Sequence, residues 1–303
     1  MVPSAEVSKS ALREAGFRGE VARDVPLAPF TTWRIGGPAE LLARPRDTDD
    51  LRLAVSWAVQ RGIPWRILGN GSNLLIRDAG VRGLVIRLRK VLDDTRIDDD
   101  KLIAGAGAMF PVVARLAAAH GLAGIEFGAG IPGTLGGAVL MNAGWHEHEI
   151  ANVVREVEYL EADGALRRFP AADCRFGYRH SRFRGGGGVV LGAELQLTRG
   201  DTHEIESRLE AFAESRKANQ PTELPSCGSV FVKPPGDFAG RLIEQAGLKG
   251  LRVGDVQVSP KHANFFVNLG RATCADVLTL VERVEHEVQR QFGIPLQREF
   301  ELW

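Results

Sequence analysis

Residues 68–78 read LGNGSNLLIRD. An apolar strand, WRILG (65–69), runs into a loop of two glycines, two asparagines and a serine, and a second apolar run follows. The loop Gly69, Asn70, Gly71, Ser72 and Asn73 contains no lysine or arginine, so it offers an anion only backbone N–H groups and neutral side-chain donors. It lacks the G-K-[ST] ending whose lysine reaches terminal phosphates in phosphoryl transfer. A nest of backbone amides suits a phosphate that stays in place, such as the pyrophosphate bridge of a retained dinucleotide cofactor. A tight turn rich in Asn and Gly accounts for the same residues without any ligand. This stretch alone leaves both readings open.

Upstream of the loop, residues 47–64 predict a helix. Asp47 or Thr48 can cap it, Leu51, Ala54, Val55, Ala58 and Val59 fall on one face, and Gly62 with Pro64 stops it. Together with LLIRD (74–78) and GLVIRL (83–88) this makes a β-α-β-loop-β unit ending near Leu88. Downstream, KLIAGAG (101–107) precedes a helix opened by Pro111, carrying Val112 and Leu116 and stopped at Gly121.

The next stretch, GIEFGAGIPGTLGGAVLMNAG (124–144), holds too many glycines for a stable helix or a flat sheet interior. Gly128, Gly130 and Gly133 formally match G-x-G-x-x-G. Pro132 precedes the third glycine, however, no strand–helix context surrounds the match, and no acidic residue sits about 20 positions on. Backbone pressed against a large flat ligand explains the stretch better than a flexible loop, because Ile131, Leu135, Val139, Leu140 and Met141 have the look of packed residues.

Strands are expected at VREVEYLEADG (154–164), ALRRFP (165–170) and GVVLGAELQLTRG (188–200), with Asp163-Gly164 as a hairpin turn. A polar helix near 202–218 and the break NQPTELPSCG (219–228) open the last part of the chain. There Asp237 is expected to cap a helix in FAGRLIEQAG, NFFVNLG (264–270) reads as a strand, and a long helix runs from Thr273 to Phe292. That helix places Val277, Leu280, Val281, Val284 and Val288 on one face, and Thr273 with Asp276 forms a capping-box variant. LQREFELW (296–303) ends the chain on a short strand. The whole reads as α+β, in segments 1–89, 90–201 and 202–303.

Composition narrows the function. Lys+Arg and Asp+Glu both number 38 in 303 residues, so no basic face stands ready to release counterions from a nucleic acid. Only 7 of the 38 cations are lysine, a bias of composition rather than a set of functional guanidiniums. Cys174, Cys227 and Cys274 are odd in number and widely spaced, which favours neither disulfides nor zinc. Glu6, Lys9, Arg13 and Glu14 are unlike a signal peptide, and Glu126 interrupts the glycine-rich stretch, so no membrane span is expected and the chain reads as cytoplasmic.

Three further stretches carry chemistry-bearing residues. Ser229 in PSCGSVFVKP (225–234) lacks the G-x-S-x-G elbow and reads as a turn serine, unless a substrate makes a proton donor of it. WHEHEI (145–150) puts His146 and His148 on one face of an alternating strand with no third ligand, so surface residues are expected there and no metal. RFGYRHSRFRGGGG (175–188) fits recognition of a small anionic molecule better than of nucleic acid.

TTWRIGGPAELLARP (31–45), LGNGSNLLIRDAGVRGLVI (68–86), GAGIPGTLGGAVLMNAG (128–144), FGYRHSRF (176–183), LPSCGSVFVKPPGDFAGRLIEQAGLKG (224–250), VSPKHANFFVN (258–268) and FGIPLQREFELW (292–303) occur in this order. With these seven stretches in register, the chain closely resembles the UDP-N-acetylenolpyruvoylglucosamine reductase family, in its shorter form. The resemblance implies a two-subdomain FAD-binding fold of the PCMH/vanillyl-alcohol-oxidase type with a C-terminal α+β substrate domain, whose last strand returns to the FAD site. It implies non-covalent FAD, NADPH as reductant, a UDP-sugar enolpyruvyl ether as substrate, and a monomer.

By the same resemblance, Gly69, Asn70, Gly71, Ser72, Asn73 and Leu74 hold the pyrophosphate. Gly130, Ile131, Pro132, Gly133, Thr134, Gly136, Gly137, Ala138, Asn142, Ala143 and Gly144 lie along the flavin. Ser229 is the proton donor, with Arg179 and Glu299 as its catalytic partners, and Tyr178, Lys233, Lys249 and His262 meet the substrate. Two departures from the family pattern, Asn219 for a lysine and Asp255 for a glycine, bear on the diphosphate contacts. Another FAD-dependent oxidoreductase of the same fold, or a non-catalytic flavin- or nucleotide-sugar-binding protein, is the competing reading.

Overall fold

The computed structural model describes residues 8–185 and 187–303. Glu6 of the amino-terminal stretch and Gly186 of the arginine-rich stretch lie outside them. The fold is α+β and divides into two compact units. One takes the chain up to Asp24, Glu40–Asn70 and Arg82–Glu214; the other takes Val25–Ala39, Gly71–Val81 and Ser215–Trp303.

The first unit contains two sheets. The smaller orders its strands Glu20–Pro26, Pro38–Arg44, Val81–Arg87, Trp65–Leu68, the last two parallel. The helix Thr48–Gln60, which connects Pro38–Arg44 to Trp65–Leu68, is capped by the Asp47 carboxylate, which accepts from Asp50 N. Leu51, Ala54, Val55 and Ala58 are buried as expected, but Val59 is 43% exposed. The buried stripe leans toward Trp57, and Val59 is left at its solvent edge.

The larger sheet is antiparallel throughout, in the order Leu166–Pro170, Val154–Leu160, Val189–Gln196, Lys101–Gly105, Thr95–Asp98. Its hairpin turns at Asp163-Gly164, where Glu161 N donates to Ala165 O and Gly164 takes φ +87°. The helix Phe110–Ala119 buries Phe110, Val113, Ala114, Ala117 and Ala118, whereas Val112 is 58% exposed. This helix is apolar nearly all round. The face that turns inward is the one whose Phe110 meets Phe127 edge-on, at 5.7 Å between ring centroids.

The glycine-rich stretch departs from expectation. It does form helix: a 3₁₀ turn Glu126–Gly130 and an α-helix Leu135–Met141, opened by Thr134, whose hydroxyl accepts from Gly137 N. Glycine here serves close packing rather than chain freedom. A Cβ at Gly136 would lie 2.8 Å from the Ala106 Cβ.

The second unit packs around Trp33, Phe231, Phe266, Val277, Leu280, Val281 and Val284. Trp33 Nε1 donates to Phe266 O at 2.9 Å, and Asn268 Nδ2 donates to Trp33 O at 3.0 Å. The long helix Cys274–Phe292 has the reciprocal Thr273/Asp276 capping box and ends at Gly293, φ +70°. Asp237 does not cap the helix Ala239–Gln245. Phe238 holds that position without a side-chain bond, and the Asp237 carboxylate accepts from Phe238 N and the Arg241 guanidinium instead. Among the described residues no helix is long and apolar enough to cross a membrane.

Candidate active site

In the first unit the strand Trp65–Leu68 delivers Gly69 and Asn70. Gly69 is packed so tightly on Thr134 that a Cβ would sit 2.7 Å from its hydroxyl oxygen. The Asn70 side-chain amide donates to Pro132 O at 2.5 Å. The segment these two touch is itself tied down: Gly133 O accepts from Phe110 N at 2.9 Å, and Leu135 N and Gly136 N donate to Ala108 O and Ala106 O. Gly137 differs from its neighbour. It is exposed, and a Cβ there would meet only the Thr134 hydroxyl, at an ordinary 3.6 Å.

The far end of the same segment receives Arg179. Gly177 and His180 exchange both backbone hydrogen bonds, making a two-residue hairpin loop with Arg179 at φ +52°. A bulky residue in the left-handed region is uncommon and is held there by its surroundings. The Arg179 guanidinium donates to Gly144 O at 2.9 Å and Asn142 O at 3.4 Å, and lies 5.0 Å from the Tyr178 ring centroid. Asn142 is wholly buried at φ +42° and donates to Glu149 Oε2 and Gly177 O while accepting from Ala151 N. Residues 142, 144 and 179 therefore form one hydrogen-bonded group.

In the second unit Gly71 takes φ +64° with its Cα against Phe30 O, where a Cβ would come within 2.4 Å. Leu74–Leu75 pairs in parallel with Glu301–Leu302, the last strand of the chain. Asn73 O accepts from Glu301 N at 3.0 Å, and Asn73 Nδ2 donates to Glu299 O at 3.2 Å. Glu299, two residues before Glu301, also donates its N–H to Val230 O at 2.8 Å, beside Ser229. Ser229 itself bridges Phe265 in antiparallel fashion and follows Gly228 at φ +85°. Asn73, Glu299 and Ser229, far apart in sequence, are thus gathered within this unit. Cys227 lies at the same place: burial pushes its thiol well above the usual range, and the negative charge of Glu299 adds to the effect.

The remaining residues stand elsewhere in the second unit. The Lys233 ammonium lies 4.4 Å from the Phe238 ring centroid, and Lys249 pairs with Glu244. Burial lowers the His262 imidazole below its ordinary value, its own backbone hydrogen bond opposes this, and the Lys249 charge lowers it further. Its Nδ1 accepts from Asn264 N at 3.2 Å, as a neutral ring does. Asp255 is used within its own neighbourhood, paired with Arg252 and accepting from Arg271 N, and Asn219 turns back onto Ser215 O. WHEHEI is not an alternating strand. His146 takes φ +56° in a tight turn between Gly144–Trp145 and His148–Glu149, and the rings stack on Trp145 and Phe127 respectively. Among the described residues no cluster of His, Cys, Asp or Glu could hold a metal. Sequence reasoning passed over Asn264, a buried amide bonded to both backbone groups of Phe231. A polar residue in an apolar run, ANFFV, was the signal available.

The residues of each unit fit a dinucleotide flavin. Among the described residues the backbone N–H groups of Gly69 and Asn70 in one unit, and of Gly71 and Ser72 in the other, donate to no backbone carbonyl; Gly71 is buried and the other three are half-buried. Such amides, with no cation among them, suit a bound pyrophosphate. A family profile described as "FAD binding domain" matches residues 39–170, and one described as "UDP-N-acetylenolpyruvoylglucosamine reductase, C-terminal domain" matches 220–303. UDP-N-acetylenolpyruvoylglucosamine reductase of Heliobacterium modesticaldum is 46% identical over 284 residues, 93% of this chain and 90% of that protein. The enzyme of the same name from an Anaeromyxobacter species is 48% identical over 289 residues, 95% of this chain and 90% of that protein. The crystal structure of UDP-N-acetylenolpyruvylglucosamine reductase from Thermus caldophilus superimposes with a TM-score of 0.80 at 40% identity, covering 94% of this chain and 99% of that one. The chain belongs to the UDP-N-acetylenolpyruvoylglucosamine reductase family of FAD-dependent oxidoreductases.

Proposed function

We propose that the chain reduces the enolpyruvyl ether of UDP-N-acetylglucosamine enolpyruvate to the lactyl ether of UDP-N-acetylmuramate, in peptidoglycan precursor synthesis. In this reading it acts as a cytoplasmic monomer, with residues 1–89 and 90–201 holding FAD and 202–303 taking the substrate. The amides of residues 69–73 take the pyrophosphate, and the segment 130–144 lies along the flavin. The chemistry FAD supplies when bound is hydride transfer to the terminal carbon of the enol ether, with NADPH as the reductant.

The protein has two tasks left. As the terminal carbon becomes a methyl group, charge develops toward the substrate carboxylate, and the Arg179 guanidinium stabilises it, with Glu299 completing the arrangement. The adjacent carbon then requires one proton on a fixed face, and the Ser229 hydroxyl delivers it. Serine is a weak acid in water, but a carbanion-like centre within hydrogen-bond reach is a very strong base. Tyr178, Lys233, Lys249 and His262 hold the nucleotide sugar.

The observation that carries this reading is the pairing of Glu299 N with Val230 O, which sets Ser229 and Glu299 side by side within one unit. The test separates the half-reactions. Ser229→Ala is expected to keep flavin reduction by NADPH and to lose flavin reoxidation by the enolpyruvyl nucleotide sugar, both followed without oxygen by stopped-flow absorbance. Wild-type reoxidation in that variant removes Ser229 from the mechanism.

A further inference from the structure

We propose that Asn264 is a positioning residue that fixes the place of the Ser229 hydroxyl; this rests on the assignment of Ser229 as proton donor. Residues 228–232 belong to no regular sheet, yet they are held on both sides. Ser229 bridges Phe265, Val230 N donates to Asn264 O at 2.8 Å, and on the other side Glu299 N and Val232 N pair with Val230 O and Gln297 O.

Beside Phe231 the backbone pairing fails on the Asn264 side. The chain there curls into a turn pinned by buried Ser259, whose hydroxyl accepts from Lys261 N and His262 N and whose amide donates to Phe265 O. The Asn264 side chain supplies the missing rung. Phe231 N donates to Asn264 Oδ1 at 3.0 Å, and Asn264 Nδ2 donates to Phe231 O at 2.8 Å, both bonds buried. A side chain of this length that donates and accepts at once is Asn; Asp would face the Phe231 carbonyl with a charge, and Ala would leave two peptide groups unpaired.

The clamp is two residues from Ser229, and on the other side of Ser229 stands Gly228 at φ +85°, a backbone position that resists movement least. Phe231 is therefore a close fixed point for the serine. A reacting group misplaced by about 1 Å loses on the order of a hundredfold in rate.

The experiment is a double-mutant cycle on holoenzyme. Asn264→Ala is expected to slow flavin reoxidation by the enolpyruvyl nucleotide sugar at least about tenfold and to raise its solvent deuterium isotope effect, while flavin reduction by NADPH stays within about twofold. In the Ser229→Ala background it should cost nothing further. Equal losses in both half-reactions, or a loss that adds in full to that of Ser229→Ala, overturns the role of Asn264 while leaving that of Ser229 intact. Wild-type reoxidation in Ser229→Ala alone overturns both. If Asn264→Ala does not fold, Asn264→Ser, whose neutral hydroxyl can donate or accept but is too short to span both Phe231 groups, carries the same comparison.

Discussion

The side-chain amide of Asn73 donates to the backbone carbonyl of Glu299 at 3.2 Å, and the backbone carbonyl of Asn73 accepts from Glu301 at 3.0 Å. A loop residue thus holds the last strand at two points, either side of Phe300. The strand is held further by its backbone: Glu301 and Leu302 lie in parallel register with Leu74 and Leu75, Trp303 N donates to Leu75 O, and Trp303 O accepts from Arg77 N. Removing the side-chain bond should cost about 0.5–1.5 kcal/mol. Asn73→Ala is therefore expected to lower the urea midpoint without changing the slope of the transition. It should also slow flavin reoxidation more than flavin reduction, because Glu299 is the residue released. Equal effects on the two half-reactions would separate this contact from catalysis.

Asp78 acts at the other end of the same connection. Its two carboxylate oxygens accept from Cys274 N at 2.9 Å and Ala275 N at 3.1 Å, so it satisfies two of the orphan donors that open the helix Cys274–Phe292, in addition to the Thr273/Asp276 box. Asp78→Ala should destabilise the protein by about 1–2 kcal/mol. Asp78→Asn, which keeps one acceptor and loses the charge, should lose less. Chemical denaturation that ranks the alanine variant equal to wild type would mean that the capping box alone suffices.

These two contacts also mark what the sequence could reveal. The helix Cys274–Phe292 is legible because its cap, its apolar stripe and its stop all lie within it, and the Asp163-Gly164 hairpin is legible for the same reason. The parallel pairing of Glu301 with Leu74 crosses most of the chain and leaves no local trace. The helix Leu135–Met141 was hidden by its composition, since Gly136 and Gly137 lower local propensity while the packing that compensates comes from Ala106. At the candidate site the resemblance pointed to Ser229, Arg179 and Glu299. Asn264 escaped because its role depends on where a distant backbone fails to pair.

Asp50 should govern part of the acid limb of stability. Its side chain is 1% exposed and accepts from Arg18 N, Arg18 Nε and Arg46 N at 3.0–3.1 Å. Burial pushes the carboxyl up, but the hydrogen bonds from Arg46 and Arg18 and the Arg18 charge outweigh it, so the folded-state value lies below the ordinary 3.8. Between those two values the unfolded chain binds more protons, so stability rises with pH there. The contribution is complete above 3.8 and is lost as pH falls through the folded-state value. Asp50→Asn should be less stable at neutral pH and show a flatter acid limb when unfolding is followed by circular dichroism. Parallel curves for the two proteins would assign the acid limb to other carboxylates.

Adjacent glycines in the helix Leu135–Met141 give opposite expectations, and together they test where the flavin lies. An alanine at Gly136 would put its methyl 2.8 Å from the Ala106 Cβ and 3.1 Å from the Ala106 carbonyl, so the helix would have to shift, at a cost of about 1–3 kcal/mol. At Gly137 the same methyl meets only the Thr134 hydroxyl at 3.6 Å, and a helical alanine in place of glycine is worth up to about 1 kcal/mol. The flavin-free protein should therefore melt lower with Gly136→Ala and as high or higher with Gly137→Ala. If the flavin lies along this segment, the methyl at 137 occupies space the ring system needs. Gly137→Ala should then bind FAD at least about tenfold more weakly, on the order of 1.4 kcal/mol, despite its sounder fold. Titration of the stripped protein with FAD, followed by quenching of flavin fluorescence, measures this directly. An unchanged affinity would take Gly137 off the flavin face.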